Sequence, residues 1–102
     1  MPLLNVEMLL DTVQLPPGYK WFEFSGQREW PIYLRDGRFS SISGSWIVTQ
    51  RDEKWFGCGV FFNVSEREKI STEVIQGKVD KAITEMQEFE DGGPMPMPEN
   101  LK

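Results

Sequence analysis

Aromatic residues are concentrated in the middle of this chain, and this concentration constrains the fold more than any other feature. Twelve of the thirteen aromatic residues lie between Tyr19 and Phe62, and the remaining one is Phe89. Aromatic and β-branched side chains fit the half-buried surface of a pleated sheet. A chain of 102 residues has enough apolar material for one compact core. We therefore expect an α+β domain whose β part covers residues 19–62.

Turn residues divide this aromatic block into an antiparallel β-meander of four to five strands. Asp36-Gly37 is the strongest hairpin signal, because glycine adopts the positive φ of a type I′ turn without steric cost. The small residues Ser43-Gly44-Ser45 predict a break or bend. The expected strands are Tyr19–Phe24, Trp30–Arg35, Arg38–Ile42, Trp46–Gln50 and Trp55–Val64, and a charged four-residue loop, Arg51–Lys54, joins the last two.

A short helix is predicted in residues 5–14. Asn5 is a good N-cap, and a helical face is formed by Val6, Leu9, Leu10 and Val13. The alternative is a strand, since apolar residues also alternate at Leu4, Val6, Met8 and Leu10. Pro16-Pro17-Gly18 then turns the chain.

A long helix is predicted after the last strand. Ser65-Glu66-Arg67-Glu68 matches a capping box, and one face at a period near 3.6 carries Ile75, Val79, Ala82, Ile83, Met86 and Phe89. Gly77 predicts a kink or break, and a weaker alternative makes residues 70–75 a sixth strand. Asp91-Gly92-Gly93 ends the helix. The domain is therefore expected to cover residues 1–91, followed by an extended, flexible Met/Pro-rich tail, 92–102.

The last predicted hairpin is apolar on both of its faces. If Gln50 pairs with Trp55, then Val48 faces Gly57 and Trp46 faces Gly59. One face then carries Ile47, Thr49, Phe56, Cys58, Val60 and Phe62, and the other carries Trp46, Val48, Trp55 and Phe61. A single helix covers only one face. The second face is either buried, with indole rings over the glycines, or an exposed platform in which Trp46, Trp55 and Phe61 bind a partner.

Acidic residues cluster at the end of the predicted long helix, where Glu85, Glu88, Glu90 and Asp91 fall within seven residues without a base. A helix C-terminus prefers cations, so these positions are locally unfavourable. Two interpretations stay open. The cluster is a solvated helix end that keeps the protein soluble, or it is a partner-binding patch for a basic protein.

The composition excludes several classes of function. The chain has no histidine, which removes histidine-dependent nucleophilic catalysis and histidine-ligated zinc. Cys58 is the one cysteine, so no internal disulfide forms, and we expect it to be a buried, inert thiol. A net charge of −5 argues against nucleic-acid binding by the whole surface. We expect no catalytic residues, metal or cofactor, no membrane span or secretory signal, and a cytoplasmic location.

In size, acidity and lack of catalytic motifs, the chain resembles small acidic proteins of phages and mobile elements, such as anti-CRISPR inhibitors, and bacterial immunity proteins. That resemblance implies a non-enzymatic protein-binding module that inhibits a basic, nucleic-acid-handling partner. One alternative is a ligand- or single-stranded nucleic-acid-binding module that uses the Trp-rich face. Another is a small assembly subunit of a phage or bacterial complex. The second apolar sheet face also leaves a homo-oligomer as an alternative arrangement.

Overall fold

The computed structural model describes residues 6–88, except for the side chains of Phe39, Arg67 and Glu68. The elements in chain order are α1 (Val6–Leu10), β1 (Tyr19–Trp21), β2 (Glu29–Tyr33), β3 (Phe39–Arg51), β4 (Lys54–Asn63), a 3-10 helix (Val64–Lys69) and α2 (Thr72–Glu88). This order confirms the expected α+β class with a short N-terminal and a long C-terminal helix. The predicted tail 92–102, Phe89, Glu90 and Asp91 lie outside the described residues.

The sheet is antiparallel and is organised around the long strand β3. One edge of β3 pairs with β4 from Ile42 to Arg51. The other edge pairs with β2 and then, further along, with β1. The predicted meander therefore describes β2, β3 and β4, whereas β1 pairs with β3 rather than with the strand that follows it.

The predicted break at Ser43-Gly44-Ser45 is wrong, because β3 runs through these residues without interruption. Gly44 lies opposite Trp30 on one side and Phe61 on the other. A Cβ atom at this position would lie 3.2 Å from both Ile32 Cδ1 and Phe61 Cδ1. The glycine therefore makes room for the close packing of neighbouring side chains, and it does not interrupt the strand.

The two hairpin turns differ from their predicted forms in detail. In the β2–β3 turn, Gly37 has a φ of +86°, but Asp36 is not among the residues with positive φ, so the turn is not type I′. The β3–β4 turn is shorter than the expected loop, since Arg51 pairs directly with Lys54. Its two central residues, Asp52 and Glu53, have φ values of +51° and +67°, as a type I′ turn requires.

The long helix begins later than the capping-box pattern predicted. The Ser65 hydroxyl donates to Asn63 Oδ1 at 2.6 Å, and the chain forms a 3-10 helix there. Ser71 then acts as the N-cap of α2, because its Oγ accepts a hydrogen bond from the Val74 backbone N–H. Residues 72–88 form one continuous helix. The alternative strand at 70–75 is therefore wrong, and Gly77 does not break the helix.

Both helices lie on the same face of the sheet, which we call the inner face. In α2 the predicted apolar stripe is buried, at Ile75, Val79, Ala82, Ile83 and Met86. Val6 and Leu10 of α1 join the same core, together with Ile47, Cys58, Val60 and Phe62 of the sheet. No helix in residues 6–88 is long and apolar enough to cross a membrane. This cluster therefore forms on one side of the sheet, although Val48 of β3, whose side chain points to the other side, is also buried at 1% exposure.

Candidate functional site: the outer face of the sheet

The opposite face of the sheet, which we call the outer face, carries the predicted Trp-rich surface. The register of the last hairpin is confirmed, because Gln50 pairs with Trp55 and Trp46 pairs with Gly59. Side chains alternate between the two faces of a strand. The outer face is therefore formed in β3 and β4 by Gly44, Trp46, Val48, Trp55, Gly57, Gly59 and Phe61.

An apolar groove of about 390 Å³ opens on this face. Its walls come from three strands and from the chain that follows β1, and its lining residues are Phe22, Trp30, Ile32, Gly44, Ser45, Trp46 and Phe61. No charged side chain is among them. The groove is thus large enough and apolar enough to hold a side chain of a partner or a small apolar molecule.

Trp46 forms the floor of this region by lying flat over two glycines of β4. A Cβ atom on Gly57 would lie 2.1 Å from Trp46 Nε1, and one on Gly59 would lie 3.1 Å from Trp46 Cζ3. Only glycine leaves room for the indole ring at Gly57, because real Cβ atoms do not approach so closely. The buried Nε1 has no hydrogen-bond partner among the described residues. The ring of Trp46 therefore lies over both glycines, as the alternative of a buried face predicted.

Trp55 and Phe61 project from β4 beside this floor and remain accessible. Their exposed fractions are 38% and 51%. Lys20 of β1 places its Nζ 5.3 Å from the centroid of the Trp55 ring, within the range of a cation–π interaction. Of the two interpretations of this face, the exposed platform describes Trp55 and Phe61, whereas Trp46 is partly covered.

The acidic residues of α2 lie on the inner side of the sheet, away from the Trp-rich surface. Glu85 Oε2 is 3.9 Å from Cys58 Sγ, a residue of the inner face. Burial raises the pKa of the Cys58 thiol, and the nearby charge of Glu85 raises it further. Glu85 also lines a groove of about 250 Å³ with Lys78 and Lys81. Its surroundings are therefore mixed in charge.

A hydrogen-bonded cluster that the sequence did not reveal fixes α1 to the start of β2. Arg28 donates to Glu7 Oε2 at 3.0 Å, to the Glu7 carbonyl at 2.7 Å and to Asp11 Oδ1 at 2.7 Å. Glu7 Oε1 accepts from the backbone N–H groups of Arg28 and Glu29. The hydrogen bond from Arg28 and its positive charge lower the pKa of Asp11. These contacts serve the fold, because they hold α1 over the inner face.

The sequence identified four side chains of the outer face and missed three others. Alternation along the last hairpin identified Trp46, Val48, Trp55 and Phe61, and of these Val48 is buried. Phe22, Trp30 and Ile32 were missed as groove residues. The alternation of Trp30 and Ile32 in β2 was visible in the sequence, but their side of the sheet depends on the register of β2 with β3, a pairing that contains an irregularity between Pro31 and Tyr33.

Comparison with known proteins finds no matching protein family, no matching curated protein and no matching solved structure.

Proposed function

We propose that this protein is a non-enzymatic protein-binding module that holds its partner on the outer face of the sheet. The observation that carries the proposal is an apolar groove, lined in part by the accessible Phe61, on a face that neither described helix covers and that also exposes Trp55. Large aromatic side chains bury much area and order few torsions when a partner binds. An apolar side chain of the partner fills the groove against Phe61, and Trp55 adds a second contact further along β4.

A protein partner fits this face better than single-stranded nucleic acid does. Proteins that stack bases on aromatic residues also need a positively charged groove that follows the phosphate backbone. The groove lining has no charged residue, and the nearby ammonium group of Lys20 lies over the Trp55 ring. An apolar lining with a polar surround is typical of the centre of a protein interface.

The finer proposal is that the partner is a basic, nucleic-acid-handling protein in the cytoplasm and that binding inhibits it. The net charge of −5 supports this proposal, since it attracts a basic surface over long range. Glu85 and Glu88 belong to α2, on the side of the sheet opposite Trp55. In this proposal the acidic residues therefore accelerate the encounter, and the outer face forms the contact.

The first experiment compares dissociation rates of variants with a partner captured from the native host. We expect Trp55→Ala or Phe61→Ala to speed dissociation by about tenfold or more, because anchor residues act mainly on the dissociation rate. Met8→Ala is the matched control, since Met8 is an exposed apolar residue of α1, on the other side of the sheet. Each variant must keep the native circular dichroism spectrum. Equal dissociation rates for all three variants would contradict the use of the outer face.

The second experiment tests the basic partner separately. The association rate of the wild-type protein should fall as salt is added, because exposed charges are screened over about 8 Å at physiological ionic strength. Reversing Glu88, an exposed residue, to Lys should slow association and leave dissociation nearly unchanged. An association rate that ignores both salt and this reversal would eliminate the basic partner while leaving the outer-face contact intact.

A further inference from the structure

The outer edge of β4 is a second interaction surface, distinct from the face that carries the groove. One edge of β4 pairs with β3 along its whole length, and no strand in the described part of the chain pairs with the other edge. Such an edge presents a row of backbone N–H and C=O groups that another strand can pair with. The charged side chains beside this edge indicate which strand pairs with it.

Helix α2 places an ordered set of charges along this edge. Lys78, Lys81 and Glu85 line the groove between α2 and the β4 residues Gly59, Val60 and Phe61. Glu88 continues the same side of the helix, because residues three, four and seven positions apart share one face. No ion pair joins any of these four side chains to another residue within the range 6–88. The first half of the row is thus basic and the second half is acidic.

We infer that the β4 edge pairs with the β4 edge of a second copy of this chain in an antiparallel homodimer. In a two-fold dimer, the charge row on α2 of the second copy runs in the opposite direction. A two-fold axis centred on residue 83 places Lys78 opposite Glu88 of the second copy and Lys81 opposite Glu85 of the second copy. The row is therefore complementary to itself, as the interface of a two-fold dimer must be.

The same axis suits the strand as well as the helix. Glu85 lies beside Cys58, and α2 runs antiparallel to β4, because Lys78 and Lys81 line the groove with Gly59 to Phe61. Two helical residues rise about 3 Å and one strand residue rises about 3.3 Å. Residue 83 of the helix therefore lies near Gly59, and Gly59 lies opposite its own copy. Antiparallel pairing about one residue keeps the two outer faces on the same side.

The charges also limit which strands can pair with this long edge. Lysine beside an exposed edge normally prevents aggregation by repelling other strands. Here each lysine meets a glutamate only when the second strand is antiparallel and correctly centred. The resulting eight-stranded sheet joins the two Trp-rich faces into one surface. This inference does not rest on the proposed function, which requires only one copy of the outer face.

Two double variants test the pairing directly. Lys78→Glu with Lys81→Glu makes the row wholly acidic, and Glu85→Lys with Glu88→Lys makes it wholly basic. By analytical ultracentrifugation, the wild-type protein should form a dimer as its concentration is raised. Each double variant alone should be monomeric at that concentration, and an equimolar mixture should form heterodimers with a Kd about tenfold or more below that of either variant alone.

A charge-matched control separates this interface from general charge effects. Glu73→Lys with Asp80→Lys changes the net charge as much as the basic variant does, but both residues lie on another side of α2. This control should dimerise like the wild type. Wild-type protein that remains a monomer up to about 1 mM would overturn the inference. So would a dimer that both double variants keep, because that dimer would use another surface, and the proposed function would stand in either case.

Discussion

Phe61 and Phe62 are consecutive residues of β4, yet Phe61 is 51% exposed and Phe62 is 2% exposed. Alternation along the strand sends Phe62 to the inner face, where α1 and α2 cover it, and Phe61 to the outer face. Both faces carry the same classes of apolar residue. The comparison shows that composition does not distinguish a buried core from an exposed apolar surface in this sheet. The two faces are distinguished by the helices that cover them, because both described helices lie on the inner face.

The sharpest test of this comparison replaces each of the two phenylalanines with alanine. Phe62→Ala should lower the free energy of unfolding by about 3–5 kcal/mol, because it leaves a cavity under two helices. Phe61→Ala should lower it by less than about 1 kcal/mol, since its ring is half exposed. Urea denaturation followed by circular dichroism measures both values. Similar losses for the two variants would mean that the outer face is also a core.

A second test concerns the glycines under Trp46. Gly57→Ala should lower the free energy of unfolding by about 1–3 kcal/mol, because the new Cβ collides with the indole ring. Gly77→Ala is the control, since nothing lies within 4 Å of the added atom. In the middle of α2, that variant should raise stability by about 0.5–1 kcal/mol. A harmless Gly57→Ala would show that Trp46 does not lie flat on the sheet.

A third test removes hydrogen bonds that hold α1 over the inner face. Arg28→Ala removes the hydrogen bonds to Glu7 and Asp11 and should lower the free energy of unfolding by about 1–2 kcal/mol. Unchanged stability of this variant would show that the cluster does not hold α1.

The same cluster predicts a dependence on pH. The pKa of Asp11 is lower in the folded protein than its ordinary value of 3.8, so folding favours the ionised carboxylate. That contribution is complete above the ordinary pKa and is lost as the pH falls through the folded pKa. Asp11→Asn should therefore lose less stability than the wild type between pH 6 and pH 3, as measured by urea denaturation. Equal losses would contradict the ion pair.

The features that the sequence predicted correctly depend on local patterns. The alternation from Trp46 to Phe62 and the intervening turn set the register of the last hairpin, and the period of α2 set its buried stripe. The predicted break at Gly44 failed because the packing of Ile32 and Phe61, from two other strands, determines the role of that glycine. The pairing of β1 with β3 joins residues far apart in the chain, and no local pattern encodes it.

The start of α2 shows the same limit at closer range. Ser65 has the residue type of an N-cap, but its hydroxyl bonds to Asn63, and Ser71 caps the helix instead. With the helix starting after Ser71, the preceding residue Ile70 lies in the core. At the outer face, the sequence identified the residues of one hairpin. The groove could not be predicted without the strand order, because its walls come from separate parts of the chain.

The smallest expected effect on stability is also the one that bears most on function, at Trp55. Its ring is 38% exposed and lies under the Lys20 ammonium group, and a cation–π contact at an exposed site contributes about 0.5–1 kcal/mol. Trp55→Ala should therefore change the free energy of unfolding by about 1 kcal/mol or less, and Lys20→Met by less still. If Trp55→Ala unfolds the domain, Trp55 belongs to a core. If the domain keeps its fold and loses its partner, a large aromatic side chain stands in a place where stability does not require it, and binding is then the reason for its position.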